Sequence, residues 1–306
     1  MSRLNYLHLI GEQKVLQRMI EDTPLEEVLD RGSLSARLEE IEYRIAQLNV
    51  EQKEPARALL TFNGQPVIGS YGIFADFGTK AISAFNEAVT AVAASLSGGL
   101  AAKGPIPNRD QHQLLITNTA LGSFGFELEE HLTGQMSLED RSAIDVAIEC
   151  TQNLLQGSID TDDELLADTA SELDQRALDK VRDFINTLFE NEATCALQYR
   201  NHLFRFSDLG QVRRSLERIS RDNLHENEQP IKGTFQGVLP KRRTFEFKVT
   251  ETEQIIVGKI APSLGYPAEI NNHLHDEVEI QTMVTRVGNS RPRYLLISMP
   301  NWRSIV

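Results

Sequence analysis

The hydrophobic period of the chain changes along its length. Near the N-terminus, apolar residues recur every three or four positions: Leu9, Leu16, Met19 and Ile20, then Leu34, Leu38, Ile41, Ile45 and Leu48. That spacing predicts helices. Thr23-Pro24-Leu25-Glu26 reads as a helix start, with Thr23 as N-cap and Pro24 in the first turn, and Gly32 as its end. The 4-3-4-3 spacing from Leu34 to Leu48 is an a/d seam, flanked by Arg37, Glu39, Glu40 and Arg44. A seam this short fits a helix packed on its own hairpin partner, or an oligomerisation face that would make a homodimer.

Two later stretches share one plan. Gly69-Ser70-Tyr71-Gly72-Ile73 and Gly122-Ser123-Phe124-Gly125-Phe126 each follow a strand-like run, Ala58–Phe62 and Gln113–Thr117, and each precedes a helical pattern. The reading is a duplicated ββα unit. In the first, residues 57–62 and 67–74 pair around Asn63-Gly64, a strong hairpin signal. Its helix covers residues 77–96. The second helix starts at Ser137, buries Ile144, Ala147, Ile148, Thr151 and Leu155, and stops at Gly157. Further helical patterns lie at 160–191 and 209–219, with a strand between them at 195–206. The glycines of the repeat suit bulges or close backbone approach. They lack the spacing and the Lys-Ser/Thr ending of a phosphate-binding loop.

Residues 220–230 are polar and read as a linker. Beyond them the period falls to two, over 233–239, 244–249, 254–260, 277–284 and 293–298, with turn signals between the runs. Five short strands of this kind predict a small β-barrel, SH3-like or OB-like. The fold class is therefore α+β in three parts. Residues 1–55 are a helical arm, 56–220 a sheet-and-helix domain with the ββα duplication, and 231–306 the barrel.

Composition narrows the setting. A chain of 306 residues with 41% hydrophobic and 25% charged residues can bury more than one core. No run of eighteen apolar residues is present, and the N-terminus lacks the pattern of a secretory signal, so a cytoplasmic protein without a membrane segment is expected. Cys150 and Cys195 read as buried free thiols. The net charge of −13 is unevenly spread. Residues 1–229 hold 21 Lys and Arg against 37 Asp and Glu, whereas residues 230–306 hold 10 against 7. An acidic body argues against wholesale coating of nucleic acid and leaves that option local to the barrel.

The chemistry-bearing candidates are few. Lys241, Arg242 and Arg243, with Lys248, Arg291 and Arg293, form a basic set on the barrel. Interleaved Phe235, Phe245, Phe247 and Tyr294 would stack bases if exposed and fill the barrel if not. His273 and His275, two apart on a strand, would share a face and form a weak metal pair. Asp160-Thr161-Asp162-Asp163-Glu164 resembles the start of a calcium loop but lacks its glycine and distal glutamate. No nucleophile–base set stands out, and no cofactor is implied. The function expected is a non-catalytic binding or adaptor protein, oligomeric through the helical arm. Its basic barrel face contacts a protein partner. The alternatives are nucleic-acid binding by that face, or a metal-dependent hydrolase centred on His273 and His275.

Overall fold

The computed structural model describes residues 3–24, 26–47, 55–101, 103–120, 124–131, 141–160, 163–220, 222–288 and 290–302. The chain divides into two compact units, one holding the N-terminal helices and one holding the sheet, its helices and the barrel.

The first unit is a helical hairpin of α1 (Arg3–Asp22) and α2 (Val28–Gln47). Ile41 is wholly buried with Leu9 and Leu16, and Leu34, Leu38 and Ile45 pack around them. The a/d seam thus faces the chain's own first helix; Leu48 lies outside the described residues. Gly32 does not end a helix but sits inside α2, where a glycine costs about 1 kcal/mol against alanine. Thr23 closes α1 instead of opening α2, because its hydroxyl donates to the Met19 carbonyl. Arg31 fixes the turn by donating to the carbonyls of Ile20 and Thr23, at 2.7 and 2.6 Å.

The second unit begins with β1 (Arg57–Gly64), β2 (Val67–Ile68), β3 (Gly72–Ile73) and α3 (Ala75–Gly98). There follow β4 (Leu114–Ala120), β5 (Gly125–Glu130), α4 (Ala143–Ile159), α5 (Glu164–Ala170) and α6 (Gln175–Glu190). β6 (Ala193–Tyr199), β7 (His202–Arg205) and α7 (Leu209–Arg218) complete this part. The sheet is antiparallel, in the order β4-β5-β1-β6-β7. One face carries Leu60, Phe62, Leu128 and Leu197 into the helices, where Phe62 meets Phe77 edge-on at 5.4 Å and Phe85 meets Phe184 at 5.3 Å.

The ββα order recurs as expected, but the first repeat pairs differently. β1 lies between β5 and β6, while β2 and β3 fold on each other as a separate ribbon. Gly64 explains the difference. Its φ is +115°, and a Cβ there would stand 2.2 Å from the Glu192 carbonyl oxygen, so the glycine serves contact with β6 and not a tight hairpin. Gly125 is a close-approach glycine of the expected kind, since its Cβ would stand 2.2 Å from Leu60 O. The second helix starts at Ala143, capped by Ser142, whose hydroxyl accepts from the Asp145 amide at 3.0 Å. The cap expected at Ser137 lies outside the described residues.

The barrel comprises β8 (Leu224–Leu239), β9 (Thr244–Val249), β10 (Ile255–Ile260), β11 (Glu277–Val287) and β12 (Arg293–Leu296). It closes in the order β8-β9-β10-β12-β11, with β10 and β12 parallel and every other pair antiparallel. This is the Greek-key order of an OB barrel. Most of the stretch expected as a linker is strand: β8 pairs with β11 from Leu224 onward. Its polar first half escaped the alternation rule because β11 supplies the apolar side chains there. Leu224 and Val287, at the far end of this ribbon, are buried in the core of the sheet-and-helix layer. Among the described residues, no helix is long and apolar enough to cross a membrane.

Candidate functional site

The barrel aromatics face inward. Phe235, Phe245 and Phe247 are wholly buried and stack edge-to-face, with Phe235 5.9 Å from Phe245 and 4.9 Å from Phe247. Tyr294 is half-buried against the same core. The rings that could have stacked on bases are therefore the barrel interior.

The register of β8, β9 and β10 shows what the outside carries. Its rows are Thr234, Lys248 and Ile255; Gly237, Glu246 and Val257; and Leu239, Thr244 and Lys259. Leu239, Ile255 and Val257 are 56%, 58% and 63% exposed. Lys241 and Arg242 are exposed in the turn between β8 and β9, Lys248 is exposed between Thr234 and Ile255, and Glu246 is exposed between Gly237 and Val257. The result is a face on which aliphatic residues alternate with exposed charges of both signs, with no aromatic ring in the register. The sequence carried a signal for it. Ile255, Ile256 and Val257 are apolar at both parities of one strand, so both of its faces carry apolar groups, and in a barrel the outer one exposes them.

The other basic candidates are engaged within the fold. Arg243 has φ +49° and caps the loop after β10, donating to the carbonyls of Ile260, Ala261 and Leu264. Arg293 pairs with Glu164 and Asp168, and its hydrogen bond holds the Glu164 carboxyl below the usual range. Lys259 pairs with Glu172. Arg291 is exposed and adjoins Glu164. The acidic stripe from Glu164 to Glu172 thus takes up the barrel charge nearest to it. Asp163, from the calcium-like run, pairs with Arg218.

His273 and His275 do not sit on a strand as expected. His273 ends a 3-10 helix spanning Pro267–His273, and β11 starts only at Glu277. The His273 ring stacks on Trp302 with centroids 4.2 Å apart, and its Nδ1 lies 3.2 Å from Asp276. His275 has φ +70° and turns the chain, with its amide donating to the Phe235 carbonyl. Among the described residues, no group of three His, Cys, Asp or Glu is placed to hold a metal ion. Cys150 and Cys195 are buried free thiols, and burial pushes the Cys150 thiol up to about 12.

Two polar clusters were not visible in the sequence. At the start of α4, Asp145 accepts from Arg141 at 2.9 and 3.1 Å, from Arg200 at 2.6 Å and from the Tyr199 hydroxyl. Burial alone would raise its carboxyl; the donors outweigh that and hold it below the ordinary value. Arg200 occupies the tight turn between β6 and β7 at φ +52°, a conformation an arginine adopts only when held there. All four groups are partnered, which makes the cluster a structural clamp.

The second cluster is Glu226 on β8, near Asp174 and Asp179. Burial, then those two like charges, push its carboxyl up to about 7. A carboxyl raised in the fold keeps its proton where the unfolded chain has lost it. Its contribution to stability is therefore full below the ordinary 4.5 and fades as pH rises through about 7. Glu226→Gln removes the fade and is expected to make the chain about 1 kcal/mol more stable than wild type in mildly alkaline buffer. Urea unfolding at about pH 5 and about pH 8 checks this.

No protein-family model, curated protein or solved structure matches this chain.

Proposed function

We propose that this chain is a non-catalytic binding protein, an adaptor, whose barrel engages a partner protein through the outer face of β9 and β10. The observation that carries the reading is the outward exposure of Leu239 on β8 and of Ile255 and Val257 on β10, each more than half exposed, on either side of β9 and near Lys241, Arg242 and Lys248. Single exposed apolar residues are ordinary. Three on one face of a three-strand stretch, interspersed with charge, match the make-up of a protein contact. The charges around them are of both signs, Lys241, Arg242 and Lys248 with Glu246, Glu251 and Glu253, so the segment this face suits is apolar with flanks of mixed charge. A cytoplasmic setting belongs to the same proposal and draws support from the two unpaired thiols.

Nucleic-acid binding competes for the same face on the strength of its exposed cations. It has less support, because sequence-tolerant binding of single strands relies on stacking rings, and Phe235, Phe245 and Phe247 point inward. Capture of partners from cell extract by wild-type chain and by Ile255→Asp/Val257→Asp, each with and without nuclease, separates the readings. Protein capture that resists nuclease and is lost in the variant supports the proposal. Capture abolished by nuclease moves the assignment to nucleic acid.

A further inference from the structure

Among the described residues, strand β4 is one edge of the five-stranded sheet and bonds to β5 on one side only. Its sequence, Leu114 to Ala120, holds neither a charged residue nor a proline, two of the devices that keep an edge from pairing with another chain, although a third, a bulge, falls between Ile116 and Asn118. The opposite edge, β7, is four residues long and carries Arg205. Two side chains fasten backbone amides of β4: Asn86 Oδ1 accepts from the Leu114 amide at 3.1 Å, and Asn118 Oδ1 accepts from the Thr119 amide at 2.9 Å. The open stretch between them is Leu115 to Asn118, and its register shifts between Ile116 and Asn118.

Next to this edge, α3 and the sheet do not close fully on each other. A cavity of about 430 Å³ lies there, lined by Ile82, Ser83, Asn86, Leu114, Ile116 and Phe126 among others. None of the lining residues is charged, in a chain of which 25% is. Leu114 and Ile116 oppose Glu130 and Leu128 in register, which puts their row on the helix side of the sheet, and Ile116 is 56% exposed there. An open backbone edge and an unfilled apolar row therefore coincide on one strand.

We infer that β4 pairs antiparallel with β4 of a second copy, about a two-fold axis through residues 115–118. Three observations select a second copy as the occupant. An uncharged strand sets no like charges opposite itself when it self-pairs. Antiparallel pairing about a two-fold is the relation in which one strand complements its own edge, and it closes without leaving a new edge to propagate. The chain as a whole carries −13, so two copies repel each other least where the surface is neutral. The two sheets become one of ten strands, and each Ile116 enters the apolar space beside the other copy. The inference is independent of the barrel proposal.

Sedimentation equilibrium of the full chain over about 1 to 100 µM tests it. The expected result is a dimer whose dissociation constant rises at least about tenfold in Ile116→Lys and, separately, in Thr117→Pro, with unchanged circular dichroism. Leu203→Lys, on the far edge, leaves the dimer intact. Hydrogen exchange gives a second reading that needs no variant: the amides of residues 115–118 that point away from β5 are protected at high and not at low concentration. A monomer across the whole range, or a dimer equally tight in both β4 variants, overturns the inference. The monomer outcome includes the case in which a strand of another protein takes this edge.

Discussion

Phe235→Ala is expected to cost about 3–5 kcal/mol, the range for truncating a fully buried phenylalanine. Phe235 is the hub of the barrel interior: it touches Phe245, Phe247 and the indole of Trp302, the last with centroids 6.4 Å apart. Neighbours cannot collapse into the space it leaves. Gly233 and Gly258 already let the rings of Phe247 and Phe245 lie against bare backbone, where an added Cβ would stand 2.6 and 2.4 Å from those rings. The loss is measured by urea unfolding with two probes. Trp302 is the only tryptophan and sits in the barrel, so its fluorescence reports that part, while far-ultraviolet circular dichroism reports the helices. Leu224 and Val287 are buried in the sheet-and-helix core, and Arg293 and Lys259 pair with the Glu164 to Glu172 stripe. The barrel is tied into the second unit by both packing and charge. The two probes are therefore expected to move together for the sheet, its helices and the barrel.

Asp145→Ala is expected to cost about 2–4 kcal/mol. Removing one partner of a buried charge cluster costs about 3–5 kcal/mol, and the figure falls here because the Arg141 and Arg200 side chains reach solvent. The variant leaves a buried tyrosine hydroxyl without its acceptor and frees Arg200 from the contact that holds it at φ +52°. The pH dependence has a definite sign. Because the Asp145 carboxyl is depressed in the fold, its contribution is fully present above the ordinary 3.8 and is lost as pH falls through the lower folded value. Wild type is expected to lose stability through that acid range more steeply than Asp145→Asn. Equal slopes would mean that the carboxylate is not held by these donors.

Legibility in the sequence followed the range of the interactions. Helices α2, α3, α4 and α6 show their burial in local spacing, and the barrel strands show it in alternation, so the α+β class and the closed barrel could be read directly. The pairing of β1 could not. Asn63-Gly64 looks like a local hairpin because glycine permits both a tight turn and close approach to a strand 129 residues away, and sequence does not distinguish the two. The first half of β8 was hidden for a similar reason, since its burial is supplied by β11. Among the site residues, Lys241, Arg242 and Lys248 are exposed as their chemistry suggests. Arg243 and Arg293 are not available, because backbone carbonyls 17 to 21 residues away and carboxylates 125 and 129 residues away engage them. The histidine pair failed on geometry, because its strand starts two residues after His275. The aliphatic face was legible only through the double parity of Ile255, Ile256 and Val257.

The most direct test of the barrel proposal is quantitative capture from nuclease-treated cell extract, comparing wild type with Ile255→Asp/Val257→Asp. Both positions are exposed, so the variant is expected to keep its circular dichroism and its unfolding midpoint. A discrete set of proteins enriched by wild type and reduced at least about tenfold in the variant is the predicted result. Enrichment unchanged by the two substitutions, or captured material that disappears with nuclease, would contradict it.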